Sequence, residues 1–318
     1  MPERNARGSE KVGPPRVSVV IPCFNAARYV SDAVASVLEQ GEPGIEIIVV
    51  NDGSSDGEAL TRALRPYGSA VTRVDGPHEG LPAARNRGIT AARGRWLAFL
   101  DADDRWKRGF LERQLSLLEE SGADLVYCDA ELFGPALAPG GTVMADHPSR
   151  GEVSLASVLA GDCVVVMSTV VADADAVRRV GGFDPALRFC EDLDLWARML
   201  EAGARFTYHR DPLAQRRIHD ANMSRDGMGM LAGASAVLER HAAALGASDR
   251  PRIARRIRDM RDALRVEAAK AAIRAGTPRA ARAALWGAFR ARRRWKLLVA
   301  ALSVTLAPGP AMRYLRER

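Results

Sequence analysis

The chain has 318 residues, 47% of them hydrophobic and 27% charged, the balance of a globular protein long enough for one large domain or two. Its four cysteines, Cys23, Cys128, Cys163 and Cys190, stand far apart with no C-x-x-C pair, which argues against a zinc ribbon or disulfide scaffold and fits a reducing compartment. The net charge of +7 is unevenly spread: residues 250–318 carry +15 and the preceding 249 carry −8, so an acidic body that repels nucleic acid is joined to a basic tail.

Residues 1–15 are polar, include Gly13-Pro14-Pro15 and lack the apolar core of a signal peptide, so a disordered lead-in is expected. Val17–Ile21 reads as a buried strand stopped by Pro22, and Tyr29, Val30, Ala33, Val34, Val37 and Leu38 follow at helical spacing. Ile45–Val50 is a second strand, Asn51–Gly57 dense turn material, and a helix through Ala59, Leu60, Ala63 and Leu64 follows. Val71–Val74 is a short strand, and Leu81, Ala84, Gly88, Ile89 and Ala92 share a helical face. Trp96–Leu100 is a further strand, Phe110–Glu120 an amphipathic helix and Leu125–Cys128 another strand. Residues 132–154 hold scattered Gly and Pro and read as loops. Helices are expected near Leu155–Ala160, Asp175–Val180 and Asp192–Ala202, with an apolar run Val164–Val171 between the first two. From about Ala232 the chain is rich in Ala, Leu and Arg and reads as helical. Strands alternating with helices predict an α/β protein with a mostly parallel sheet covered on both faces.

The apolar run ending at Leu100 stops at three acids, Asp101, Asp103 and Asp104. Carboxylates this close repel one another unless a cation sits between them. Hard oxygen ligands on a short loop suit Mg²⁺ or Mn²⁺, with coordination positions left for substrate phosphates. The other reading is a solvated acidic turn in which Asp103 or Asp104 caps the next helix. Pro22-Cys23-Phe24-Asn25 and Asn51-Asp52-Gly53-Ser54-Ser55-Asp56 follow the first two strands and would project from the same sheet edge as the acids.

With Gly80-Leu81-Pro82-Ala83-Ala84-Arg85-Asn86-Arg87-Gly88, Gly181-Gly182-Phe183-Asp184, Glu191-Asp192-Leu193-Asp194-Leu195-Trp196 and Arg217–Ser224, these motifs make residues 16–225 resemble the inverting family 2 glycosyltransferases of GT-A fold. The resemblance implies a metal-dependent enzyme that moves a sugar from a nucleotide diphosphate, most simply a UDP-sugar, to a saccharide or lipid-linked saccharide in cell-surface glycan assembly. It places a Mn²⁺ or Mg²⁺ ion on Asp103, with Asp104 in support and His219 completing the metal shell or touching the diphosphate. It places Asp101 at the ribose or nucleotide, Asp52 on the base, Pro22, Phe24 and Asn25 around base and ribose, and Arg85 near the nucleotide or diphosphate. The general base falls on the Glu-Asp pair, Asp192 first and Glu191 second. Structural readings stand beside these: Asp52 as a turn-shaping residue, Phe24 as packing, Arg85 as a surface stem, Asp104 and Asp192 as helix caps, and His219 as an ordinary structural histidine. Asp194 is expected to face solvent or cap, and Cys190 to pack.

Residues 226–318 form the helical basic region, where Trp286, Phe289, Trp295, Leu297, Leu298, Val299, Leu302 and Leu306 interleave with Arg290, Arg292, Arg293, Arg294 and Lys296. The ten-residue apolar run Leu297–Leu306 falls far short of the ~20 residues that span a bilayer. Residues 286–318 suit a helix lying on an anionic membrane surface, or else a soluble or dimerising subdomain. The expected location is therefore cytoplasmic, or peripheral on the inner face of the cell membrane. A dehydrogenase would need G-x-G-x-x-G after the first strand, and a nucleotidyltransferase a basic Gly-rich loop; neither is present. The remaining alternative is a catalytically silent scaffold acting through its tail.

Overall fold

A computed structural model describes residues 13–135, 137, 140–292 and 295–311. The expected lead-in falls largely outside these, as do Arg293, Arg294 and residues 312–318. The chain divides into a first unit ending at His219 and a second beginning at Asp220.

The first unit is built on an eight-stranded sheet. Its strands are β1 (Val17–Cys23), β2 (Ile45–Asp52), β3 (Val71–Gly76), β4 (Trp96–Phe99), β5 (Arg105–Trp106), β6 (Leu125–Phe133), β7 (Val171–Asp173) and β8 (Phe206–Arg217). Their spatial order is β3-β2-β1-β4-β7-β6-β8-β5. β1 pairs in parallel with β2 and β4, β2 with β3, and β6 with β8; the β4–β7, β6–β7 and β5–β8 pairs are antiparallel. The sheet is therefore mixed, with its parallel half at the N-terminal end.

Every residue of β1 is buried, as a central strand covered on both faces requires. Alternation sends Val17, Val19 and Ile21 into one core with Val30, Val34, Val37 and Leu115, and Val20 into the other with Ile89, Val177 and Trp196. Helices Val30–Leu38 and Phe110–Ser121 supply the first layer, and Leu81–Ala91 and Glu191–Glu201 the second. Gly88 sets how closely helix Leu81–Ala91 approaches the sheet: a Cβ there would lie 2.3 Å from Val20 Cγ1.

Several expectations are corrected. Pro22 does not stop β1, which runs on to Cys23. Pairing with β4 ends at Val20, whose carbonyl accepts from Leu100, so the ladder has already ended on the side that Pro22 cannot serve as donor. β6 extends to Phe133 rather than Cys128, and residues 143–146 form one helical turn within the stretch read as loops. β8 carries no strand signal in the sequence, because half of it is polar and Pro212 interrupts it, where the β6–β8 register shifts near Asp129.

The second unit is helical: Gly227–His241, Arg250–Arg274, Pro278–Arg292 and Trp295–Leu306. Ala269, Ile273, Ala281, Leu285, Ala301 and Val304 form its small core. Among the described residues no helix is long and apolar enough to cross a membrane.

Candidate active site

Because β1, β2 and β4 run parallel, their carboxyl ends open onto one edge of the sheet. After β1, Asn25 takes a left-handed conformation (φ 52°). Its backbone N–H donates to Ser54 Oγ at 3.1 Å, and its Oδ1 accepts from Ser55 N at 2.8 Å and Ser55 Oγ at 2.9 Å. Those bonds lock the β1 loop to the β2 loop. Phe24 remains 46% exposed and stacks on His78 with ring centroids 3.9 Å apart. Pro22, by contrast, is buried within β1.

Asp52 ends β2 and is 2% exposed. Its Oδ1 accepts from Glu79 N at 3.1 Å and Arg87 Nη1 at 3.0 Å; Gly80 N donates to Oδ2 at 2.9 Å, and His78 Nδ1 lies 2.9 Å from the same oxygen. Burial pushes this carboxyl up, but the four donors outweigh it and hold the pKa below its usual value. The carboxylate expected to read a base is thus engaged by four protein groups, and it orders the 78–80 loop. Gly53 permits that closeness: its φ is 67°, and a Cβ would lie 2.6 Å from His78 N.

The second group gathers around Arg85, which is 2% exposed. Its Nη1 donates to Glu191 Oε1 at 2.6 Å and its Nη2 to Asp101 Oδ1 at 2.7 Å. Phe183 lies beneath the guanidinium, 5.3 Å from its carbon to the ring centroid. Arg85 therefore joins two carboxylates in the interior rather than standing at the surface. Its neighbour Asn86 clamps the backbone of Phe183, donating to its carbonyl at 2.8 Å and accepting from its N–H at 2.8 Å. The Gly181–Asp184 turn is tied to the Arg85 helix in this way.

Asp103 Oδ2 lies 2.9 Å from His219 Nε2, and the imidazole stacks on Tyr29 at 5.2 Å. Burial and the neighbouring charge of Asp101 push the Asp103 carboxyl up, against the pull of His219. Asp104 is a bolt: Ser168 Oγ donates to its Oδ2 at 2.6 Å and Arg217 N to its Oδ1 at 2.8 Å. It is 4% exposed, and with both oxygens so engaged it is placed neither to support a metal nor to cap. Gly109, not an acid, precedes helix Phe110–Ser121. Arg217 continues the bolt, donating from Nε to the Asp103 carbonyl and from Nη2 to Asp32, each at 2.8 Å.

Asp192 stands half-buried in the first turn of helix Glu191–Glu201. Burial and the charge of Glu191 raise its pKa to about 6, against the lowering effect of Arg85 and a 2.7 Å bond from Leu193 N. The cap position is held by Cys190 in a left-handed conformation, with no side-chain cap bond. Cys190 is buried, with its thiol pushed up to about 12 by burial. Asp194, expected at the surface, is wholly buried and accepts from Arg198 Nε at 2.7 Å.

The expected site residues thus fall into two sets: Phe24, Asn25 and Asp52 around the 78–80 loop, and Asp101, Asp103, Glu191, Asp192 and His219 around Arg85 and the β4 acids. His78, Asn86, Arg87, Ser168 and Tyr29 also build these two sets. Only Asn86 and Arg87 carried a signal, lying in the Gly80–Gly88 motif. An open depression of about 550 Å³ lies beside the first set, lined by Asn25, Ala27, Arg28, Ser55, Asp56 and Ala59. Among the described residues no three His, Cys, Asp or Glu side chains are arranged to hold a metal by themselves.

The chain is similar to several known proteins. The model of glycosyl transferase family 2 matches residues 18–142. A Bacillus subtilis protein that carries the name of a teichuronic acid biosynthesis glycosyltransferase, TuaG, is 31% identical over 215 residues, 66% of this chain and 82% of that one. The structure of S. aureus TarS in complex with UDP-GlcNAc matches with a TM-score of 0.61 at 15% identity, over 95% of this chain and 90% of that one. The mannosyltransferase PcManGT from Pyrobaculum calidifontis, in complex with GDP-Man and Mn²⁺, matches with a TM-score of 0.57 at 18% identity, over 98% of this chain and 87% of that one.

Proposed function

The chain belongs to glycosyl transferase family 2 and has the GT-A fold, and on that premise we propose that it moves a sugar, most simply from a UDP-sugar, to a saccharide or lipid-linked saccharide with inversion, as a step in cell-surface glycan assembly. The observation that supports this best is Asp192, a half-buried carboxylate with a pKa of about 6, suited to accept a proton from a hydroxyl near neutral pH. The acceptor oxygen attacks the anomeric carbon as its proton passes to Asp192, the bond from that carbon to the phosphate oxygen breaks, and the nucleoside diphosphate leaves. Glu191 is occupied by Arg85 at 2.6 Å and holds the pair in place.

The residues fit a divalent cation. Asp103 and His219 offer a carboxylate oxygen and an imidazole nitrogen 2.9 Å apart, and a nearby cation would relieve the crowding with Asp101 that raises Asp103. Asp103 and His219 would hold Mn²⁺ or Mg²⁺, which would supply positive charge to offset that gathering on the leaving diphosphate. Asp101, whose side chain is partly exposed, would contact the nucleotide, and Phe24 and Asn25, on the loop after β1, would border the base and ribose beside the 78–80 loop that Asp52 orders.

The relatives were captured with UDP-GlcNAc and with GDP-Man, so the test is a calorimetric titration of UDP and GDP, each with and without Mn²⁺. Metal-dependent binding of one nucleotide, lost in Asp103→Ala, is expected. Failure of the wild type to bind any nucleoside diphosphate would overturn the reading.

A further inference from the structure

The helix Trp295–Leu306 is apolar on two sides. Ala301 and Val304 are buried with Ala269, Ile273, Ala281 and Leu285, and Leu297 and Ala300 pack against that core. On the other side Trp295, Val299, Leu302 and Leu306 are 69%, 50%, 40% and 81% exposed. Spacings of four, three and four residues put them in one stripe along the helix. At 1.5 Å per residue that stripe is roughly 17 Å long. A continuous apolar strip of this kind left in water marks a contact surface.

The charge around the strip indicates what it contacts. From Ala268 to Arg316 the chain carries eleven Lys and Arg and no Asp or Glu. Arg279, Arg282, Arg290 and Lys296 are exposed. A second copy of residues 268–316 would bring the same cations together with no Asp or Glu of that stretch to offset them. An anionic lipid surface supplies that counter-charge, accepts Val and Leu below the headgroups and suits a Trp at their level. We propose that Trp295, Val299, Leu302 and Leu306 form an in-plane docking edge for an anionic bilayer, the helix lying on the membrane rather than crossing it. Lipid contact here does not depend on which reaction the first unit catalyses, so its failure and a failure of the glycosyltransferase reading are separately visible.

The test is co-sedimentation of the full chain with vesicles of phosphatidylglycerol and phosphatidylcholine, against vesicles of phosphatidylcholine alone, at low and high salt. Binding to the anionic vesicles is expected, reduced by salt and about tenfold or more weaker for Val299→Ser/Leu302→Gln/Leu306→Gln, since the apolar face and the basic residues act together. These side chains are exposed, so the thermal midpoint of the triple variant should match the wild type, and a fall in binding then reports contact and not unfolding. Equal binding to both vesicle types, no binding to either, or unchanged binding by the correctly folded triple variant would overturn the proposal. So would a dimer in light scattering that the triple variant dissociates and that does not sediment with vesicles.

Discussion

Asp52 and Asp192 are both withdrawn from water near the carboxyl ends of the parallel strands, yet their charges are treated in opposite ways. Asp52 is the more enclosed of the two, but four protein donors hold its pKa down. Among the described residues the Asp192 carboxylate receives a single bond, from the backbone of the next residue, and burial with the charges of Glu191 and Asp101 raises its pKa to about 6. The donors aimed at a carboxylate, set against its burial and the charges around it, decide whether it anchors a loop or remains able to take a proton. Arg85 sets the balance on the Asp192 side, because it neutralises Glu191 and Asp101 and leaves Asp192 without a direct cation contact.

The largest disturbance should come from removing that balance. Arg85→Met leaves two carboxylates without their cation, and loss of one partner of a buried ion pair costs about 3–5 kcal/mol. Urea unfolding should show this loss, and the acid limb of the pH–rate profile should move upward as Asp192 loses the attraction of Arg85. An unchanged unfolding midpoint would show that the bridge contributes nothing to stability.

A smaller loss is expected for Asp52→Asn, which removes the charge from bonds with the 78–80 loop; charge-assisted bonds of this kind contribute about 1.5–3 kcal/mol each, part of which Asn retains. A carboxyl with a lowered folded pKa stabilises the protein above its unfolded pKa and stops doing so as pH falls through the folded value. The deficit of Asp52→Asn should therefore be full at pH 8 and shrink toward zero in strong acid. The same chemical change at Asp192 should have the opposite sign. With a folded pKa of about 6, the wild type carries a penalty that appears as pH rises through the carboxylate range and is complete above pH 6. Asp192→Asn should therefore unfold at higher urea than wild type at pH 8 and match it near pH 4, a gain in stability at the expense of function. Matching signs for the two Asn variants would remove the distinction between anchor and base.

The smallest effect is expected for Phe24→Ala, which removes an exposed ring stacked on His78; such a ring pair contributes about 0.5–1.5 kcal/mol. Urea unfolding should show a loss no larger than this, and a larger loss would show that the ring does more than stack on His78.

The half of the fold that frames the site was readable because β1, β2 and β4 are continuous apolar runs and the acids interrupt them abruptly. β8 was hidden by Pro212 and its charged residues, which only its neighbour β6 makes intelligible. The acids themselves were visible as chemistry, whereas their division of labour was not. Asp103 and Asp104 are adjacent in sequence, yet one meets His219 and the other is bolted to Ser168 and Arg217. Asp194 follows Asp192 by two residues and turns to Arg198 in the interior. Arg85 read as one charge in an apolar helical pattern, and its two partners lie 16 and 106 residues away. Side-chain identity suggested the reaction; long-range pairing assigned the roles.

The most direct measurement is the pH dependence of kcat for wild type and Asp192→Asn, with UDP and GDP affinities measured on both. The expected result is an acid limb near pH 6 in the wild type and a fall in kcat of about 10²–10⁴ in the variant, the range for loss of a general base, with nucleotide affinity unchanged. Turnover by Asp192→Asn at the wild-type rate, with the same acid limb, would contradict the assignment of Asp192 as the base.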